Sequence, residues 1–279
     1  MTTESINSKV ALVTGASSGI GRALCVTLAG AGYSIAALAR RKERLDELKK
    51  EIESSTNQRV ETVLCDIKDA KAMDEAISGL IKKFGRLDLV VANAGFTIAG
   101  ALEALTAEDY LNIFNTNFGG MLNTIYPSLE ALKSSAGMII IMGSILGEFG
   151  IMERSAYVST KFAMRGFYES VRYELREKGV TTMLIEPGFV KTELRFFDKQ
   201  GNRLRTVTQD KLKKTSHGIS VPPEEVAGDV VKLLNKRGFH HAVITGHAKW
   251  MHFFNRFFPG LMSSEIYKHR DWVRRKVVK

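Results

Sequence analysis

An apolar run, Val10-Ala11-Leu12-Val13, stops in glycine at Thr14-Gly15-Ala16-Ser17-Ser18-Gly19-Ile20-Gly21 and passes into Arg22-Ala23-Leu24-Cys25-Val26-Thr27-Leu28-Ala29, a helical pattern that ends at Gly30-Ala31-Gly32. Four apolar residues suit a strand buried on both faces, and such strands belong to parallel sheets. Glycines between strand and helix let backbone N–H groups and the positive helix end approach a pyrophosphate that a Cβ would hold off. The spacing is G-x-x-x-G-x-G and not the commoner G-x-G-x-x-G, and tight strand-to-helix packing alone would also use glycine here. Its position after the first strand of a βαβ unit favours the nucleotide reading.

The alternation continues down the chain. Further strands are expected at Ser34–Leu38, Val60–Asp66, Leu87 onward to a turn at Asn93-Ala94-Gly95, Met138–Met142, Val180–Glu186 and His241–Gly246, with helices such as Ala72–Phe84 between them. Strands alternating with helices predict a single doubly wound α/β domain, a parallel sheet of about seven strands with helices on both faces. Ligands of such sheets bind beyond the carboxyl ends of the strands. Gly15, Asp66, Asn93, Ser144 and Gly188 all fall at strand ends in this scheme and should gather along one edge.

Composition narrows the class. The 279 residues hold no Pro/Ser-rich linker and no internal repeat, and the N-terminus, with Glu4 and no apolar core, does not read as a secretory signal. The longest strongly apolar run, Gly137 to Gly147, falls far short of the roughly 20 residues a membrane span needs. Cys25 and Cys65 form no C-x-x-C, and no pair among the six histidines has metal-ligand spacing, so neither a disulfide framework nor a metal site is expected. A soluble or peripheral protein of a reducing cytoplasm is the expectation.

Tyr157 and Lys161 lie four residues apart, and Ser144 thirteen residues before Tyr157. On a helix starting near Ala156, that spacing sets phenol and ammonium on one face. A phenol with an ordinary pKa of about 10 handles protons poorly at neutral pH, and a neighbouring cation favours the phenolate. Such a pair would serve as a general acid/base, although a helix-surface pair has the same spacing.

Taken together these motifs resemble the short-chain dehydrogenase/reductase family. The resemblance spans Ser8 to Gly246 and rests on TGASSGIG at 14–21, CD at 65–66, NAG at 93–95, Asn117, Ser144, Y-x-x-x-K at 157–161 and PGFVKT at 187–192. It implies a Rossmann-type fold and reversible hydride transfer between NAD(P)(H) and a carbonyl/alcohol pair. By position, Tyr157 would be the acid/base and Lys161 would lower its pKa and hold the nicotinamide ribose. Ser144 would bond the substrate oxygen, and Asn117 would hold a water linking Lys161 to solvent. Gly15, Ser17, Ser18, Gly19, Ile20 and Gly21 would cradle the cofactor phosphates. Asp66 and Ile67 would meet the adenine, Asn93, Ala94 and Gly95 the adenosine side, and Pro187, Gly188, Val190 and Thr192 the nicotinamide end. A homodimer or homotetramer is also implied. Ala92 and Gly143 depart from the common family pattern, each beside a functional residue and not on one.

Substrate choice is expected to depend on a loop at 193–220 and on an extension at 247–279. Phe196 and Phe197 near the site suggest an apolar ketone, lipid- or steroid-like, with a small ketone, aldehyde or sugar as the alternative. A non-catalytic NADP(H)-sensing module is a further alternative, which would have no need of Ser144, Tyr157 and Lys161 together. The extension is rich in aromatics from Trp250 to Phe258. The last twelve residues carry Lys268, Arg270, Arg274, Arg275, Lys276 and Lys279 against Asp271, about half of the formal net charge of +10. Peripheral membrane contact, a cover over the cleft and a subunit interface remain open for it. A sequence pI near 9.5 permits nucleic-acid binding, yet no basic stripe or helix-turn-helix appears and none is expected.

At the end of the second strand, Ala39 and Arg40 stand where an NAD-binding unit offers an acid to the ribose 2′-OH. Arginine there suits a 2′-phosphate, so NADP(H) is expected over NAD(H), with Arg41, Lys42 and Arg44 partly the solvated start of the next helix. Arg40→Asp should weaken NADPH binding more than NADH binding in a fluorescence titration; equal losses for both would overturn the assignment.

Overall fold

A computed structural model of the chain describes residues 8–195, 198–202, 220–234 and 240–273. Seven parallel strands form one sheet in the order β3-β2-β1-β4-β5-β6-β7. They are β1 Val10–Thr14, β2 Ser34–Ala39, β3 Val60–Leu64, β4 Leu89–Ala92, β5 Met138–Met142, β6 Thr181–Pro187 and β7 His240–Ile244. The expected strands are all present, with ends shifted by a residue or two except that β3 and β4 are shorter than expected. The sheet is the Rossmann-like arrangement.

Consecutive residues of a strand point to opposite faces, and the core divides accordingly. Ala11 and Val13 of β1 join one apolar cluster with Leu24 and Leu28 of α1 (Gly19–Gly30), Leu45 and Leu48 of α2 (Lys42–Ser55), and Val226 and Val230 of the helix Pro223–Leu234. Val10 and Leu12 join the other, with Met73 and Ile77 of α3 (Ala70–Phe84), Met121 of α5 (Gly120–Ile125) and Met164 and Tyr168 of α7 (Ser155–Glu177). The helix Pro223–Leu234 is α8; α4 is Ala107–Phe114 and α6 is Leu129–Ser135. Local sequence sets the helix ends. Asp69 caps α3 by accepting from the Ala72 N–H, and Gly85 closes it at φ 78°. Thr106 and Asp109 form a reciprocal capping box at α4.

β1 lies between β2 and β4, so the chain reverses direction across the sheet at this point and opens a crevice beyond the carboxyl ends of β1 and β4. Between α4 and α5 the chain widens into a π turn at Asn115–Gly119, which carries Asn117. Beyond β7 come α9 (Gly246–Phe257), α10 (Pro259–Lys268) and α11 (Arg270–Val273). Their inner residues Ala248, Met251, Met262 and Ile266 pack into a third apolar cluster with Phe96, Ile113, Leu146, Phe149 and Tyr157. The extension is therefore seated on the substrate side of the domain. No helix among the described residues is long and apolar enough to cross a membrane.

Candidate active site

A cleft of about 520 Å³ follows the carboxyl edge of the sheet from Arg40 and Asp66, past the glycine turn, to Ser144, Tyr157 and Lys161. Ser17, Ser18, Gly19, Ile20, Ile67, Asn93, Ala94, Gly95, Asn117, Pro187, Gly188, Val190 and Thr192 line it as well. The residues predicted at the strand ends have converged. Gly21 is the exception: it lies beneath the turn, where a Cβ would stand 2.5 Å from the Gly15 carbonyl oxygen, so it lets α1 close on β1 and does not face the cleft. Phe196, Phe197 and the basic residues from 203 to 214 fall outside the described residues, as do Arg274, Arg275, Lys276 and Lys279.

At the glycine turn, Gly15 adopts φ +70°, and a Cβ there would lie 2.9 Å from Asn93 Nδ2. Asn93 in turn donates to the Thr14 carbonyl at 2.9 Å, while Thr14 Oγ1 accepts from the N–H groups of Asn93 and Ala94. Ser18 precedes α1 without its side chain capping it, which leaves the first-turn N–H groups for an anion. This cradle, with two guanidiniums at its far end, fits a nicotinamide dinucleotide.

Arg40 lines the cleft as expected, and Arg41 is placed differently from the expectation. Arg40 donates to the Gly201 carbonyl at 2.6 Å and lies 3.7 Å from Asp66. Arg41, expected to share the solvated helix start, instead reaches back over the turn. It donates to Ser17 Oγ at 3.0 and 3.1 Å and to Ser18 Oγ at 2.6 Å, and pairs with Glu193 at 2.9 Å. Position at the strand end pointed to Arg40 alone, whereas both line the cleft.

At the other end, α7 carries Tyr157 and Lys161 on one face, and the turn after β5 delivers Ser144; all three are buried. Ser144 Oγ accepts from the Leu146 N–H at 3.2 Å and is hydrogen-bonded to the Tyr157 phenol. The phenol's pKa is raised, contrary to the direction first expected. Burial drives it up, and the Ser144 bond and the nearby Arg154 guanidinium act against that rise. Lys161 Nζ stands 5.6 Å from the Tyr157 ring centre and donates to the Met142 carbonyl at 2.8 Å. Sequence reasoning passed over Arg154, which is buried, bonds Thr97 Oγ1 at 2.9 Å and lines the cleft three positions before Tyr157.

Asn117 is fully committed to protein partners. Its oxygen accepts from the Phe96 N–H, and its nitrogen donates to the Phe96 carbonyl and to Thr160 Oγ1. The carboxamide thus clamps the segment after β4 to α7, which leaves none of its polar atoms free for the water expected of it.

Beneath the site lies an ionic cluster. Glu186 of β6 is hydrogen-bonded to His241 of β7 at 2.5 Å, and Glu148, after the Ser144 turn, to His252 of α9 at 2.6 Å. Arg165, one turn beyond Lys161, bonds Glu148 at 2.9 Å. Glu148, Glu186 and His241 are close enough to ligate a cation, a grouping that spacing along the chain did not reveal, and the guanidinium supplies a positive charge to it. His247 accepts from the Phe189 N–H at 2.7 Å, tying α9 to the loop after β6.

A parallel sheet with a glycine-lined crevice and a Ser-Tyr-Lys constellation defines an NAD(P)-dependent oxidoreductase of a carbonyl/alcohol pair. The family model for short chain dehydrogenase matches residues 9–202, and the chain belongs to that family. Serine 3-dehydrogenase of Rhizobium radiobacter is 29% identical over 233 residues, 80% of this chain and 92% of the relative. The 3-oxoacyl-[acyl-carrier-protein] reductase FabG of Staphylococcus aureus is 32% identical over 191 residues, 67% of this chain and 76% of that one. An alcohol dehydrogenase from the archaeon Thermococcus sibiricus, complexed with 5-hydroxy-NADP, superposes with a TM-score of 0.73 at 28% identity, covering 85% of this chain and 96% of its own.

Burial pulls the Lys161 ammonium down from 10.5 to about 8, with Glu186 opposing the drop. Between those values the unfolded chain binds more protons than the folded one, so the penalty is full below pH 8 and is relieved as pH rises. Relative to Lys161→Met, the cofactor-free wild type should gain on the order of 3 kcal/mol across this window, read by urea unfolding at its two ends. A constant difference between the two proteins would contradict a buried ammonium.

Proposed function

We propose that the chain is an NADP(H)-dependent reductase of an apolar, lipid- or steroid-like ketone. The observation that carries the cofactor choice is the pair Arg40 and Arg41 at the end of β2, with Arg41 folded onto the Ser17 and Ser18 hydroxyls. For the substrate, Phe96, Ile145, Leu146 and Leu194 wall the cleft near Tyr157.

The bound nicotinamide supplies the hydride. As negative charge builds on the substrate oxygen, Ser144 and Tyr157 donate hydrogen bonds to it, and the phenol then passes its proton to that oxygen. Arg154 stabilises the phenolate left behind. Lys161, held by the Met142 carbonyl, anchors the nicotinamide ribose and stands ready to return a proton. Asn117 keeps α7 in register with the strand end after β4.

A second reading has its own support. Arg154 and Thr97 place a cation and a hydroxyl on the substrate side, which suits a small polar carbonyl compound, and one relative is named serine 3-dehydrogenase. For location, the free and buried Cys25 and Cys65 support a reducing cytoplasm, and the exposed apolar surface of the C-terminal helices supports peripheral contact with a membrane.

NADPH oxidation across ketones graded in length and polarity tests the reading. Turnover should rise with apolar length and fall at least about 100-fold in Tyr157→Phe; preference for short polar substrates would favour the second reading, and no turnover on any carbonyl would overturn both. Assembly as a homodimer or homotetramer is supported by exposed Leu111 and Phe114 on α4 and Phe162 on α7. Phe162→Lys should lower the mass seen by sedimentation velocity, and an unchanged mass would discount that face.

A further inference from the structure

The C-terminal helices have two apolar sides. The inner one is occupied by the domain: Ala248 is fully buried, Met251, Met262 and Ile266 pack near Tyr157, and His252 and Asn255 bond Glu148. On the outer side, Trp250, Phe253, Phe254, Phe257, Phe258 and Leu261 recur at three- and four-residue spacing across the α9–α10 bend. Trp250 is 66% exposed, Phe257 64% and Leu261 60%, although each is a large apolar side chain. The rings touch one another, Phe253 and Phe257 at 4.9 Å between centres and Trp250 and Phe254 at 6.0 Å, so they form a continuous patch.

Charge decides what this patch meets. From Gly246 to Ser264 the chain has no acidic residue, while exposed Lys249 and Arg256 flank the stripe; beyond it Lys268 pairs with Glu265, and exposed Arg270 follows. Two copies meeting through the stripe about a two-fold axis would bring Lys249 and Arg256 together with no acid inside it to answer them. An anionic bilayer reverses that sign. Aromatic rings enter the headgroup boundary, and each nearby Lys or Arg is attracted to the lipid charge.

We infer that the outer face of α9 and α10 is a docking surface for anionic phospholipid, seated with Trp250, Phe253, Phe257 and Leu261 in the interface and Lys249 and Arg256 against the headgroups. The inference rests on the proposed peripheral contact and supplies its face and lipid chemistry. Because the inner face of the same helices packs on the cluster that holds Tyr157, docking orients the substrate side toward the bilayer, a source of the apolar ketone.

Co-sedimentation of the full chain with phosphatidylcholine vesicles, with and without phosphatidylserine, tests it. The wild type should pellet with the serine-lipid vesicles and be released by salt. Phe253→Ser/Phe257→Ser and Lys249→Glu/Arg256→Glu should each weaken that binding at least tenfold while keeping the wild-type thermal midpoint, since all four side chains are exposed. Binding that survives both double variants overturns this face while leaving peripheral contact intact, and equal binding to neutral vesicles overturns the anionic-lipid assignment. No binding to any vesicle overturns the peripheral contact itself. Loss of self-association in Phe253→Ser/Phe257→Ser with unchanged vesicle binding would reassign the stripe to a second copy. The carbonyl panel is independent of all these outcomes.

Discussion

A buried ammonium organises this molecule. Lys161 is almost wholly enclosed, and a charge so placed is tolerated only where the fold answers it. The answer comes from elements far apart in the chain. β5 ends in the Met142 carbonyl that accepts from Nζ, and β6 carries Glu186 one residue before its end, whose charge acts on the ammonium. The same residue bonds His241 directly and brings Arg165 and Glu148 into the network, and through Glu148 also His252. The proton-handling end is thus braced from β5, α7, β6, β7 and α9 at once. A shift in any of them would change the field at the phenol.

The parts legible in the sequence were those whose determinants are local. β1, β2, β4 and β5 announce themselves as short apolar runs, and the glycine turn declares its chemistry because positive φ and close backbone approach need glycine at Gly15. Once the strands are parallel, geometry alone carries Asp66, Asn93, Ser144 and Gly188 to one edge. What escaped was set by contacts between distant segments. Glu148, Glu186, His241 and His252 have no diagnostic spacing, yet they form one cluster. Arg41 and Arg40 are neighbours in sequence, and only the path of the chain back from Gly201 and Glu193 shows how each is used. The direction of the Tyr157 shift was also out of reach, since it depends on how dry the site is and not on which cation lies four residues away.

That dryness bears on the chemistry. A phenol raised by burial is held neutral, the form that can give its proton to a reduced carbonyl oxygen, so an enclosed site supports the acid role proposed for Tyr157. Arg154 limits the cost of the phenolate that results. The lysine first paired with Tyr157 from spacing is therefore one of three groups around the phenol. Lys161 sits over the ring face, Ser144 at the hydroxyl, and Arg154 approaches from the turn before α7.

The C-terminal helices belong to the same scheme. α9 is fastened at two points that touch the machinery: His247 accepts from the Phe189 N–H in the loop that carries Val190 and Thr192, and His252 holds Glu148 at the end of the Ser144 turn. Gly188 shows how close the first contact is, because a Cβ there would lie 2.1 Å from His247 Nε2. A helix fixed so firmly on its inner side has no freedom to fold its outer aromatics inward. Burying Trp250 or Phe257 against this domain would require breaking the His252–Glu148 bond and withdrawing Ala248 from the core. Among the described residues the exposed stripe is thus a consequence of how the site is braced.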